Sequence, residues 1–324
     1  MPNTQTMTLK GVFSITYRLL YPLKGILPFL IIVLNLSFWI VPLFLLALFK
    51  LIIPIHGIGF YLYRIMTRIY VIAAWTDHQL FWRIMGMRLE VRGLENLHRD
   101  KIYLVLPNHQ SWADILILQS LLSFKAPIPK FIAKSQILYL PLVGLICWAY
   151  DFPIVKRYSR KEIQERPSLR GKDRKALRTT LKRFHETPGS IVNFAEGTRY
   201  SPSKAKRFQS PYRFLLSPKI GGIFVILQSM GDQLHEILDL TLVYDCSKLR
   251  FWDFLSGKCR RVIVQVKHID PAQVVEREKH NLKNVTLTEV SEWIQQIWVK
   301  KDQTYLELRA ELNQNRLIRD NGNV

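Results

Sequence analysis

The stretch Lys101-Ile102-Tyr103-Leu104-Val105-Leu106-Pro107-Asn108-His109-Gln110-Ser111-Trp112-Ala113-Asp114 decides how the chain is read. Its first half is an apolar run with strand character, and Pro107 ends it, because proline offers no N–H to a sheet ladder. Ser111 then reads as a helix N-cap. Asp114, three residues on, completes a capping-box-like pattern that opens a helix over 112–124. His109 therefore sits in a loop just ahead of a helix, with Asp114 in the first turn. A fold-back would bring the carboxylate to one imidazole nitrogen and leave the other as a general base, the logic of a catalytic dyad. Ser111 and Asp114 acting only as caps, with His109 a bystander, fits the same residues.

Outward from this stretch, apolar runs with β-branched residues recur near 87–93, 129–133, 152–155, 190–194, 239–244 and 260–269, and read as strands. Helical stretches over 172–186, 221–230 and 287–313 alternate with them. Such alternation predicts an α/β domain with a largely buried sheet.

The strand over 190–194 runs into Ala195-Glu196-Gly197-Thr198-Arg199. This places a guanidinium at the sheet edge. Arginine binds phosphate through two parallel N–H bonds and stays charged. Gly197 permits a tight turn, and Glu196 is positioned to brace the arginine or to hold a substrate hydroxyl. A surface turn with a Glu–Arg ion pair is the plainer alternative.

From Gly25 to Phe49 the chain carries no charge, and Lys24 and Lys50 bracket the run. A bilayer span needs roughly 20 apolar residues. Pro28, Asn35 and Pro42 disturb a straight helix, so a bent or re-entrant hairpin competes with a single span. The aromatic-rich segment over 59–86 suits a helix that lies at the interface or covers the core.

Lys plus Arg number 46 against 25 Asp plus Glu, which leaves a net charge of +21 and implies a polyanionic partner. Between Lys156 and Arg183 stand 12 basic residues and 3 acidic ones. They suit contact with anionic lipid or a CoA-type carrier, or form a solvated connection. Three scattered cysteines, Cys147, Cys246 and Cys259, predict reduced thiols facing the cytoplasm; without a CxxC pair they support no zinc site. A nucleic-acid-binding protein would explain the charge but not the apolar run, and no nucleic-acid motif is present. A non-catalytic basic membrane protein is the other rival.

Taken together, the two motifs resemble the glycerolipid acyltransferase superfamily, and within it the lysophosphatidic acid acyltransferases. Its Asn-His, four residues, Asp hallmark stands here as Asn108-His109 through Asp114. Its Phe-Pro-Glu-Gly-Thr-Arg hallmark stands as Phe194-Ala195-Glu196-Gly197-Thr198-Arg199, with alanine in place of proline. A block between them is matched by Lys134 and by Phe152 through Arg157, and a later Lys-x-Gly by Lys219-Ile220-Gly221. The final block lacks the family's strand proline, as in the longer subgroup that includes lysocardiolipin-type enzymes.

The resemblance implies a glycerolipid acyltransferase-like sheet with flanking helices over 87–316. Ahead of it lie a membrane segment over 1–58 and the helix over 59–86, and behind it a frayed polar tail over 317–324. It implies that His109 and Asp114 are catalytic, and that Arg199, Arg157 and Lys219 hold the phosphate in a pocket shaped by Glu196, Gly197 and Thr198. The acceptor would be a lysophospholipid, 1-acylglycerol 3-phosphate first among them, and the donor acyl-CoA or acyl-carrier protein. No GxSxG elbow is present, so direct transfer is expected rather than an acyl-enzyme. Backbone N–H groups near Ser111 are candidate oxyanion donors. No metal, cofactor or nucleic acid is expected. The expected location is the membrane, the inner one in a bacterium, with the catalytic domain facing the cytoplasm.

Overall fold

The computed structural model describes residues 21–52, 56–158, 160–185, 189–246, 249–275 and 282–321. The first 20 residues of the expected membrane segment and the last three of the expected tail lie outside them. The strands are β1 (Arg88–Arg92), β2 (Ile102–Pro107), β3 (Pro129–Phe131), β4 (Ala133–Lys134), β5 (Ile154–Val155), β6 (Ser190–Val192), β7 (Leu234–Tyr244) and β8 (Arg261–Ile269). Helices of nine or more residues are α1 (Ile26–Ile52), α2 (His56–Gln79), α3 (Ala113–Leu122), α4 (Pro141–Ala149), α5 (Lys172–Lys182), α6 (Ile220–Met230) and α7 (Leu287–Asn321). β7 begins five residues before its expected start, and α7 runs through part of the segment read as tail.

Six strands form one sheet in the order β1-β8-β7-β2-β6-β3, parallel except for the β7–β8 pair, while β4 and β5 pair separately. β2 is central and buried from Tyr103 to Pro107, as a parallel strand covered on both faces must be. Its side chains alternate between two cores. Tyr103 and Val105 pack with Met66, Phe81 and Ile117 beneath α2 and α3. Leu104 and Leu106 pack with Leu181, Val225 and Trp298 beneath α5, α6 and α7.

Leu23–Ile52 is long and apolar enough to cross a membrane. The helix α1 is continuous through Pro42, so the apolar run from Ile26 to Ile52 contains no turn. One stripe is buried: Pro28, Ile32, Asn35, Leu43 and Ala47. The opposite face exposes Leu34, Phe38, Val41 and Leu45. Asn35 is a tether rather than a defect. Its amide donates to the Ala73 carbonyl at 3.0 Å and to the Asp77 carboxylate at 2.9 Å on α2. Both ends of α1 meet the α/β domain, through Phe29 against Trp252 and Lys50 near Asp151 at 3.8 Å.

The expectation of three reduced thiols is corrected. Cys246 and Cys259 form a disulfide, and Cys147 is buried and free. The antiparallel β7–β8 ladder carries both cysteines to the same end of the sheet, with Tyr244 opposite Val262 and a Cα–Cα distance of 5.2 Å. Spacing along the chain carried no sign of that pairing, and the thiol argument for a cytoplasmic face falls with it.

Candidate active site

The site forms where β2, β6 and β7 end. Asn108 completes β2 with its side chain. The amide nitrogen donates to the Leu242 carbonyl at 3.0 Å and the amide oxygen accepts the Leu242 N–H at 2.7 Å. These two bonds imitate a ladder pair and fix where the next residue, His109, leaves the sheet.

His109 is held on every side but one. Its N–H donates to Glu196 at 2.9 Å, and its carbonyl accepts the Tyr200 N–H at 2.7 Å. Its ring stacks on Phe194, with centroids 4.0 Å apart. Nδ1 meets the Asp114 carboxylate at 2.9 Å. Nε2 has no protein partner among the described residues. A Nδ1–H donated to Asp114 leaves the lone pair on Nε2, the form a general base needs.

Asp114 is fully buried and its acceptor capacity is used. One oxygen takes Nδ1 of His109 and the N–H groups of Gln110 at 2.6 Å and Ser111 at 2.9 Å; the other takes the Tyr244 hydroxyl at 2.7 Å. The fold-back expected from the sequence is present, but the capping differs in detail. Trp112 is the N-cap, and the Ser111 hydroxyl accepts from Ala113. The N–H groups of Gln110 and Ser111 are occupied by Asp114, which removes them as oxyanion donors. Burial, then the charge of Asp114, raises the Tyr244 pKa well above the usual range, so the phenol remains a donor.

Glu196 does not brace Arg199. It is buried, and its carboxylate bridges two backbone segments, taking the His109 N–H on one oxygen and the Leu216 N–H at 2.8 Å on the other. Burial pushes its pKa up to about 8, against the pull of those two bonds.

The Gly197–Arg199 turn is ringed by cations. Gly197 has φ +70°, a conformation that favours glycine, and the Lys219 side chain crosses within 2.9 Å of where a Cβ would stand. Arg157 donates to the Gly197 carbonyl at 2.7 Å. Lys204 donates to the Thr198 hydroxyl at 2.8 Å and the Arg199 carbonyl at 3.0 Å. The Arg199 guanidinium lies over the Trp112 ring at 5.4 Å, beside the His109 loop. Burial lowers the pKa of Lys219, helped by the charges of Arg157 and Lys134. Burial also lowers that of Lys204, helped by Arg199 and Lys134. Among the described residues none of these five cations is in a salt bridge. Crowded cations without carboxylates suit a bound anion.

The structure thus brings together His109, Asp114, Glu196, Gly197, Thr198, Arg199, Arg157 and Lys219. Sequence reasoning did not single out Tyr244 or Lys204, and assigned no task to the Asn108 side chain. A tyrosine that ends an apolar strand and a lysine in a basic stretch carry no distinguishing signal.

Fold and site define a class: an α/β protein with a His–Asp pair at the strand ends, a cluster of cations beside it and, among the described residues, no serine or cysteine side chain hydrogen-bonded to His109. Residues 88–243, just under half of the chain, match the family model described as Acyltransferase. Similar curated proteins include the 1-acyl-sn-glycerol-3-phosphate acyltransferase epsilon of Mus musculus, 24% identical over 226 residues, covering 62% of this chain and 56% of that protein. The alpha form of Bos taurus is 25% identical over 209 residues, covering 62% and 64%. The chain therefore spans between half and two thirds of these relatives. The crystal structure of the 1-acyl-sn-glycerophosphate (LPA) acyltransferase PlsC from Thermotoga maritima shares the fold, with TM-score 0.53, 17% identity, and coverage of 90% of this chain and 98% of that one.

Proposed function

We propose that this chain transfers a fatty acyl group from an acyl thioester to the free hydroxyl of a lysophospholipid, with 1-acylglycerol 3-phosphate as acceptor and phosphatidic acid as product. One observation carries the reading: among the described residues Nε2 of His109 is unengaged, while Nδ1 is fixed by buried Asp114 at 2.9 Å beside a cluster of cations that no carboxylate there pairs. The names of the similar acyltransferases support the choice of acceptor.

In this reading the acceptor phosphate rests against Arg199, Arg157, Lys204 and Lys219. Nε2 takes the proton of the acceptor hydroxyl as its oxygen attacks the thioester carbonyl. Asp114 stabilises the imidazolium that forms. The tetrahedral intermediate collapses with cleavage of the C–S bond, and the proton passes from His109 to the departing thiolate. An ester bond forms, a thioester bond breaks, and no cofactor is consumed.

The donor is acyl-CoA or acyl-carrier protein. The outward face of α1 rests in the bilayer, and the site opens on the cytoplasmic side, of the inner membrane in a bacterium. The excess positive charge then serves anionic lipid and carrier rather than nucleic acid.

The test is labelled acyl-CoA with membranes containing the protein and a panel of lysolipid acceptors. Labelled phosphatidic acid is the expected product. A preference for an acceptor without a phosphomonoester would move the assignment to another lysophospholipid, and no transfer to any acceptor would end it.

A further inference from the structure

The long helix α7 lies outside the matched residues 88–243, yet three of its side chains bond to backbone near the His109 loop and a fourth packs beside them. Lys301 is fully buried, and its ammonium donates to the carbonyls of Leu106 at 2.9 Å and Leu240 at 2.6 Å while pairing with the Asp239 carboxylate. Leu106 lies just ahead of the His109 loop. The Leu240 carbonyl also receives the Asn108 N–H, at 3.4 Å. Lys301 thus gives the Leu240 carbonyl a second donor where Pro107 pairs with Leu240 at the end of β2.

The neighbouring side chains of α7 hold the other flank. Trp298 donates from its indole to the Leu216 carbonyl at 3.1 Å. Asp302 accepts the N–H groups of Arg213 at 2.9 Å and Phe214 at 3.0 Å, and Tyr305 stacks on Phe214. The segment so fixed hands the Leu216 N–H to Glu196, whose other oxygen holds the His109 N–H. It also takes the Gln110 side-chain amide on the Phe214 carbonyl, at 3.2 Å.

A buried lysine is a costly way to fill a core, since an apolar side chain of the same length would pack without losing hydration. What a hydrocarbon cannot do is hold two strand-end carbonyls at once.

We propose that Lys301 is a positioning residue for acyl transfer: from α7 it fixes the ends of β2 and β7, so that the His109 loop presents its imidazole in line with Asp114. The proposal rests on the general-base reading of His109.

The test uses the full chain. Lys301→Met alone strands a buried Asp239 charge and risks unfolding, so the informative variant is Lys301→Met with Asp239→Asn, which removes the charge conflict without restoring the staple. We expect it to fold, with kcat lower by about ten-fold or more and both KM values within about two-fold of the parent. Asp302→Asn, at a partly exposed site, perturbs the other flank and should give the same split with a smaller loss; it carries the test if the double variant does not fold. A folded variant with parental kcat, or a loss confined to KM, overturns the proposal. If parent and His109→Ala proteins are equally inert on every acceptor, the function reading fails instead. Positioning is then read by amide hydrogen exchange of Leu106 and residues 108–110. Faster exchange there than in the rest of the sheet supports it, and unchanged exchange overturns it.

Discussion

Tyr244 and Asp114, 130 positions apart, share a hydrogen bond of 2.7 Å between buried side chains at the floor of the site. The phenol at the end of β7 occupies the one carboxylate oxygen that the His109 loop leaves free. The carboxylate thus cannot rotate away from the imidazole without abandoning a charge-assisted bond in a dry environment.

A graded series of variants follows from this geometry. His109→Ala should abolish acyl transfer, by at least about 100-fold, the contribution of a positioned general base. Asp114→Asn should come close to it, because the imidazole loses the charge that orients it and supports its protonated form. Tyr244→Phe should cost less, about ten-fold in kcat, with roughly 1.5–3 kcal/mol lost from stability as a hydrogen bond to a charged group disappears. Steady-state kinetics and thermal melts on purified variants check the order. Substantial turnover by a pure His109→Ala protein would sink the mechanism.

Arg199 should separate phosphate binding from chemistry. Arg199→Lys keeps the charge but loses the planar fork that stacks on Trp112. The expected loss in kcat/KM on a phosphate-bearing acceptor is about 1.5–3 kcal/mol, seen mostly at subsaturating acceptor. A phosphate-free acceptor should be poor with the parent and little worsened by the change. His109→Ala should harm both acceptors alike. Equal losses on the two acceptors with Arg199→Lys would assign that residue to the fold or to the donor.

Glu196 predicts a pH dependence of stability. Its folded pKa of about 8 stands above the ordinary value of 4.5, chiefly through burial. The neutral acid is therefore favoured by folding. Its contribution is fully present below the unfolded value and is lost as pH rises through the folded one. Glu196→Gln does not titrate, and its NH2 group cannot accept the N–H of His109 or Leu216, so it should melt lower at pH 5. The gap between parent and variant should narrow as pH rises toward 8. Melting temperatures across that window decide the point, and a constant gap would count against a buried acid here.

The two faces of α1 should behave differently. Leu34, Phe38, Val41 and Leu45 face outward, each more than a third exposed on the protein. Serine at these four positions leaves the buried stripe and the Asn35 tether intact. The expected outcome is a folded protein that alkaline carbonate strips from membranes the parent resists leaving. Unchanged retention would assign anchoring to another surface, with the exposed Leu138, Tyr139 and Leu140 ahead of α4 the first to examine.

Local pattern was enough for much of this protein. The apolar runs and their breakers placed most strands and helices, because side-chain periodicity and proline or glycine punctuation act over short range, but not the start of β7, the length of α7 or the helix α4. The five-residue spacing of His109 and Asp114 also closes locally, through a loop that folds back on the start of α3, so the pair was legible without a fold. Its partners were not. Tyr244 reaches Asp114, Asn108 reaches Leu242, Glu196 joins His109 to Leu216, and Cys246 meets Cys259 only because the sheet brings β2, β6, β7 and β8 side by side. The order of strands in a sheet depends on how two apolar faces are covered at once, and no window of sequence contains that condition. Asn35 shows the same limit from the other side: read alone it disturbs an apolar helix, whereas against α2 it is the bond that seats it.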